Sequence, residues 1–142
     1  MQISRIVWHK KFQGNTAAGI DDTPVNGEAL DLTALGTFSR ARLIIELGAV
    51  TESGKLMAAL QESESEGGEF TNVAGLEETG EDVTGKSDTS IVIDVPAVKR
   101  FLRYAYQRSA ANIELDSVTI ELYSSTVVPV RQSVSVWREI IR

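Results

Sequence analysis

Apolar and polar positions alternate with a period of two through most of the chain after residue 40. Leu43, Ile45 and Leu47 fall on one face, with Arg42, Ile44 and Glu46 on the other, as in a strand with one side in a core. Ile44 implies that the second face is partly covered too. Thr51, Glu52, Ser53 and Gly54 form a turn whose glycine tolerates positive φ. Leu56, Ala58 and Leu60 then resume the alternation, so residues 42–62 predict a hairpin or a sheet corner. Residues 63–68 (SESEGG) read as a solvated loop, and Phe70 and Val73 bring the chain back to the core. Residues 74–88 are mostly Gly, Glu, Asp and Thr, which predicts a second long loop.

The pattern continues to the end of the chain. Ile91, Ile93 and Val95 share one face of a strand that Pro96 stops or places at an edge. In residues 99–108, Leu102, Tyr104 and Tyr106 alternate with Phe101, Arg103 and Ala105, and the aromatics favour a strand. Val118, Ile120 and Leu122 oppose Thr119, Glu121 and Tyr123, so residues 99–123 predict an antiparallel hairpin with one face buried. Residues 124–142 are too apolar for a disordered tail, with Val127, Val128, Val130, Val134, Val136, Trp137, Ile140 and Ile141. They add a last strand to their own sheet or lie along a neighbouring subunit.

The first 36 residues are less regular. Residues 3–8 (ISRIVW) predict a first strand or an N-terminal arm. Residues 13–27 hold turn formers, including Asn26-Gly27, and an aperiodic loop of that length points to a functional or poorly ordered segment. Residues 28–36 (EALDLTALG) suit either a short helix or a strand; the brevity of the run and its end at Gly36 favour the strand. Many short strands with Gly-rich turns predict an all-β fold, a jelly-roll-like or immunoglobulin-like β-sandwich with extended N- and C-terminal arms. At 142 residues the chain fits one domain, with residues 1–12 and 124–142 as arms or strands.

Charge and composition narrow the function. Residues 52–88 hold ten acids against Lys55 and Lys86, within a net charge of −6. Such a surface repels phosphate backbones, so no nucleic-acid partner is expected. No apolar run reaches the length of a membrane span, and the first residues lack the apolar segment of a signal peptide. The default expectation is therefore a soluble, unprocessed chain with no membrane partner. The absence of cysteine excludes disulfides, thiolate metal sites and thiol nucleophiles.

Candidate chemistry is sparse. His9 is the only histidine, which excludes multi-histidine zinc sites and a Cys–His pair. No G-x-S-x-G elbow presents a serine. The acids of residues 52–88 lie in polar loops without an apolar pocket to raise a carboxyl pKa. Asp21, Asp22, Asn26, Glu28 and Asp31 supply oxygen ligands that a calcium ion accepts, but their spacing does not match an EF-hand loop. Lys99, Arg100, Arg103 and Arg108 lie among aromatics, a mixture that suits single-stranded nucleic acid and suits cross-strand pairing and subunit contacts better. The expectation is a chain with no catalytic residues, no metal and no cofactor.

The run ARLIIELGAVTESGKLMAALQESESEGGEFTNVAG, followed by VKRFLRYAYQRS, resembles small virion proteins of tailed bacteriophages. The matching positions are residues 60–63, 70–73 and 99–104, within a resemblance that covers residues 40–123. It implies a non-enzymatic decoration (cement) protein on the capsid exterior, assembled in the host cytoplasm. It further implies a homotrimer whose partner is the major capsid protein. In this reading Ile3, Ile6, Val7, Trp8, Val134, Val136, Trp137, Ile140 and Ile141 are interface anchors, because a buried tryptophan dominates binding energy. A phage tail or head–tail connector component, a carbohydrate-binding module and, last, an enzyme are the competing readings.

Overall fold

A computed structural model describes residues 5–13, 23–50, 54–109, 113–124 and 136–142. It is an all-β sandwich of two sheets packed face to face. In chain order the strands are β1 (Arg5–Gln13), β2 (Val25–Asn26), β3 (Leu30–Asp31), β4 (Arg40–Val50), β5 (Lys55–Ser63), β6 (Thr71–Gly75), β7 (Glu81–Asp82), β8 (Ser90–Pro96), β9 (Phe101–Ser109), β10 (Ile113–Ser124) and β11 (Val136–Ile141). One helical turn, α1 (Leu32–Leu35), follows β3. The first sheet has the order β1-β10-β4-β8-β11. In the second, β9 and β5 are central; β2 and β3 line the outer side of β9, and β6 and β7 line the outer side of β5.

The alternation in the sequence supplies the core. Leu43, Ile45 and Leu47 of β4, Ile91, Ile93 and Val95 of β8, and Val118, Ile120 and Leu122 of β10 face Leu56, Ala58 and Leu60 of β5 and Leu102, Tyr104 and Tyr106 of β9. All are buried. Burial of a large aliphatic side chain stabilises by roughly 1.5–3 kcal/mol, and this cluster is the main force holding the sheets together. The edges close through side chains. Phe12 packs on Tyr104 with ring centroids 5.0 Å apart. On the opposite edge, Arg138 of β11 reaches Glu81 of β7 at 3.5 Å.

The pairings nest. With β2 and β3 counted as one position and β6 and β7 as another, eight positions pair first with eighth, second with seventh, third with sixth and fourth with fifth: β1–β10, β2/β3–β9, β4–β8 and β5–β6/β7, all antiparallel. Of the described strands only β11 stands outside the nest, and it pairs with β8 in parallel.

Several expectations are corrected. Residues 42–62 form the sheet corner, not a hairpin, because β4 and β5 lie in different sheets. Residues 99–123 are not a hairpin either: β9 pairs with β5 and β10 with β4 and β1. Alternation shows which face a strand buries and is silent on which strand it pairs with, so it leaves residues 42–62 open between hairpin and corner and misplaces the pairing of residues 99–123. Residues 28–36 are a two-residue strand followed by a helical turn, because the Asp31 carboxylate accepts from the Thr33 amide at 3.1 Å and caps it. Within the expected loop 74–88, Leu76 and Val83 are core residues, pinned by Leu76 N–H to the Ala58 carbonyl and Val83 N–H to the Gly54 carbonyl, at 2.8 and 2.9 Å. Isolated apolar residues among Gly, Glu and Asp carry no period, so the pattern hid them. Pro96 ends β8 as expected, yet β8 is an interior strand flanked by β4 and β11. Of the arm or strand expected at each terminus, the described parts are sheet strands.

Candidate functional site

The proposed anchors that fall among the described residues lie at the two edges of one sheet. β1 forms one edge and β11 the other. Trp8 sits half-buried against the core, as do Trp137 and Ile140, while Val136 and Ile141 are half-buried along β11. Ile6 and Val7 lie within β1; Ile3 and Val134 fall outside the described residues. The fold therefore brings these residues to opposite margins of one sheet and not to a single patch. The Lys86 ammonium lies 5.6 Å from the centroid of the Trp137 ring.

Between those margins, the outward face of the sheet carries a charged network that sequence reading did not single out. Arg40 and Arg42 of β4 lie beside Asp94 of β8 on one side and beside Tyr123 and Glu121 of β10 on the other, as the strand registers require. Asp94 is 1% exposed and Tyr123 is 0% exposed. Asp94 accepts from Arg40 Nε and from Arg42 Nε, each at 2.9 Å, and from the Tyr123 hydroxyl. Arg42 also donates to Glu121 at 3.3 Å. Arg40 completes the set by donating from Nη2 to the Arg142 carbonyl, while the Arg142 amide donates to the Asp94 carbonyl at 2.9 Å. The end of β11 is thus gripped by side chain and backbone of two neighbouring strands.

The electrostatics follow from burial and pairing. Two guanidinium and two carboxylate groups balance, so a neutral set is buried in place of a net charge. Burial works against the Arg42 charge, but Asp94, with Tyr123 and Glu121 behind it, outweighs that and raises the Arg42 pKa. Burial, reinforced by the hydroxyl's hydrogen bond to Asp94, pushes Tyr123 up to about 12. The set ties β4, β8 and β10 together through charge-assisted hydrogen bonds.

The other candidates disperse. His9 is exposed on the outward side of β1, opposite Glu121. Of the calcium candidates, Glu28 binds Lys10 at 2.6 Å and Asp31 binds Arg100 at 2.9 Å; the hydrogen bond and charge of Arg100 hold the Asp31 carboxyl below its ordinary range. Asp21 and Asp22 fall outside the described residues. Among the described residues no three acidic or histidine side chains gather around one point. The basic cluster separates as well: Arg100 serves Asp31, Arg103 lies outward, and Arg108 is buried and donates to the Ile113 carbonyl at 2.8 Å.

Two surfaces remain. At the end of the sandwich where β8 leads into β9, an open groove of about 470 Å³ runs between α1 and residues 97–100. The two large apolar side chains that stand exposed among the described residues, Val98 at 76% and Leu35 at 36%, both belong to this end. Glu64 and Lys99 bring opposite charges to the groove wall. On the outward face of the second sheet, Arg103 donates to Gln61 at 2.8 Å, Gln61 donates to Asn72 at 2.9 Å, and the Arg103 guanidinium stacks 4.1 Å from the Phe70 ring centroid. No helix among the described residues is long and apolar enough to cross a membrane. No protein-family model matches the chain, and neither does any curated protein.

Proposed function

We propose that this chain is a non-enzymatic virion protein of a tailed bacteriophage. In this reading it is a decoration protein that binds the outside of the head as a homotrimer and stabilises the shell by bridging subunits of the major capsid protein. The observation that carries the reading is the nested strand pairing, which we read as an eight-strand jelly roll, an architecture used by viral capsid domains and lectins. A fold by itself does not select a function. The resemblance over residues 40–123 and two surfaces add the rest.

The terminal strands are assigned the contacts between copies. Ile3, Ile6, Val7 and Trp8 lie at or before one sheet margin in sequence, and Val134, Val136, Trp137, Ile140 and Ile141 at or before the other. The end bearing Val98 and Leu35 is assigned to the shell, because exposed apolar side chains gathered at one place suit a partner better than water does. Binding to the assembled lattice alone would stabilise it by mass action, and a trimer would add avidity. Most of the acids of residues 62–82 lie on or beside β5, β6 and β7; Glu64 lines the groove at the shell-facing end and Glu81 pairs with Arg138 of β11.

Native mass spectrometry tests the assembly. Three 15.5-kDa chains give about 46 kDa; a hexamer or larger ring would favour a tail or connector part instead. An electron cryo-microscopy map of the virion tests the location, and density in the tail rather than on the outer shell would overturn the reading. A second reading, a carbohydrate-binding module, draws on the Phe70–Arg103–Gln61–Asn72 row, since a stacked ring beside amide hydrogen-bonding groups suits a sugar. Glycan-array binding lost on Phe70→Ala would favour it.

A further inference from the structure

We propose that β11 is an exchanged strand, which in the homo-oligomer lies on β8 of a second copy of this chain. The inference rests on the homo-oligomer part of the function proposed above. Domain exchange of this kind is a low-cost route to an oligomer because every contact already exists within one chain.

Four observations support it. First, the sandwich closes without β11: eight positions pair in a complete nest, and β11 is the one parallel addition. Second, β11 is the less buried kind of strand, an edge held at its end and by part of its side chains. No residue of β11 is fully buried, whereas β4, β5, β8 and β10 each bury several. Its backbone ladder is to β8, so as an edge strand with no fully buried residue it can leave with less loss of buried surface than an interior strand.

Third, the reach permits exchange. β10 and β8 are both antiparallel to β4 and so run the same way, and β11 runs with β8. Three strand spacings separate β10 from β11, about 14 Å, and β8 adds a length of about 23 Å at 3.3 Å per residue. The resulting diagonal is roughly 27 Å, against about 40 Å that an extended chain from Ser124 to Val136 can span. The surplus means that chain length does not tie the strand to its own β8, so a neighbour's β8 within that span is open to it. The intervening stretch also carries Val127, Val128, Val130 and Val134 in eleven residues, a composition suited to burial and not to a solvated connection.

Fourth, the receptacle is built by other strands. Arg40 of β4 and the backbone of Asp94 on β8 hold Arg142. Glu81 of β7 meets Arg138, and Lys86 lies by Trp137. None of these groups depends on which chain supplies β11.

The chain has no cysteine of its own, so introduced pairs report cleanly. Ser90→Cys with Val136→Cys, and separately Val92→Cys with Glu139→Cys, join positions that are in register between β8 and β11. Each variant is oxidised as the native assembly and then run denatured without reductant, beside native mass spectrometry. Exchange predicts that most of the chain migrates as covalent species of two or more chains. An oligomer whose disulfides are all within single chains overturns exchange and leaves the oligomer standing. A monomer overturns both. An oligomer that forms no disulfide at either pair places β11 off β8 and also overturns exchange.

Discussion

Replacing Asp94 by alanine removes the anion between two buried guanidinium groups. Arg40 and Arg42 each lie 2.9 Å from Asp94, and the Tyr123 hydroxyl donates to the same carboxylate. Taking about 4 Å between charge centres and an effective dielectric of about 20, each ion pair is worth roughly 4 kcal/mol of Coulomb attraction. Desolvation of the ions offsets much of that in the intact network, but truncating one member does not recover it. The arginines stay buried, now facing each other, with Glu121 as the one remaining carboxylate of the set. Breaking a buried pair in this way costs about 3–5 kcal/mol, a large share of the 5–15 kcal/mol typical of a whole domain.

Urea unfolding followed by tryptophan fluorescence measures the loss, at fixed protein concentration because association shifts the midpoint. With an m-value of about 2 kcal/mol/M, a 4 kcal/mol loss moves the midpoint by about 2 M. A loss below about 1 kcal/mol would place the network in the class of surface ion pairs and refute the reasoning. The charge-neutral pair Arg42→Met with Asp94→Leu is the internal control. It removes one charge of each sign, so it should cost less than Asp94→Ala alone.

Alkaline titration gives a second outcome. Tyr123 is held protonated in the fold to about 12, against about 10 in the unfolded chain. Its contribution, on the order of 2–3 kcal/mol, is fully present below pH 10 and lost as pH rises from about 10 to 12; burial raises Tyr104 as well, so ultraviolet titration should show a last step at about 12 that Tyr123→Phe removes while the Tyr104 step stays. Gly75→Ala should destabilise by about 1–3 kcal/mol in urea, because a Cβ there would lie 2.6 Å from the Ala59 Cβ, 2.8 Å from its Cα, and against the Ala58 carbonyl; an unchanged midpoint would mean that β5 and β6 are not packed as described. Val98→Glu, at an exposed position, should leave the urea midpoint within about 0.5 kcal/mol of wild type while weakening attachment to phage heads at least tenfold in a co-sedimentation assay. Undiminished attachment would remove that end of the sandwich from the shell contact.

The contrast between core and network explains how much of this molecule its sequence discloses. Leu43, Ile45 and Leu47 announce their burial through local period, since a strand repeats every two residues and the core accepts one face. The opposite face of the same strand offers Arg42, which by itself reads as solvent-facing. Its burial depends on Asp94, 52 residues away, and on Tyr123, 81 residues away, and no local pattern carries pairings of that range. A Tyr beside a Glu on the outward side of β10 and an Asp within the apolar run SIVIDV are the traces that remain. Asp94 was the legible one, because a charged residue inside SIVIDV must find a partner or expel the strand from the sheet. The terminal strands show the same limit from the other side. Their apolar content foretold that they would be covered, and Trp8 and Trp137 are half-buried; which surface covers them depends on partners that alternation does not encode. For β1 the nest of pairings answers the question, since β10 has no other strand on that side. For β11 the nest is already complete, so its pairing with β8 is set by a receptacle that any copy of the chain presents. That difference is why assembly is argued from β11 and not from β1.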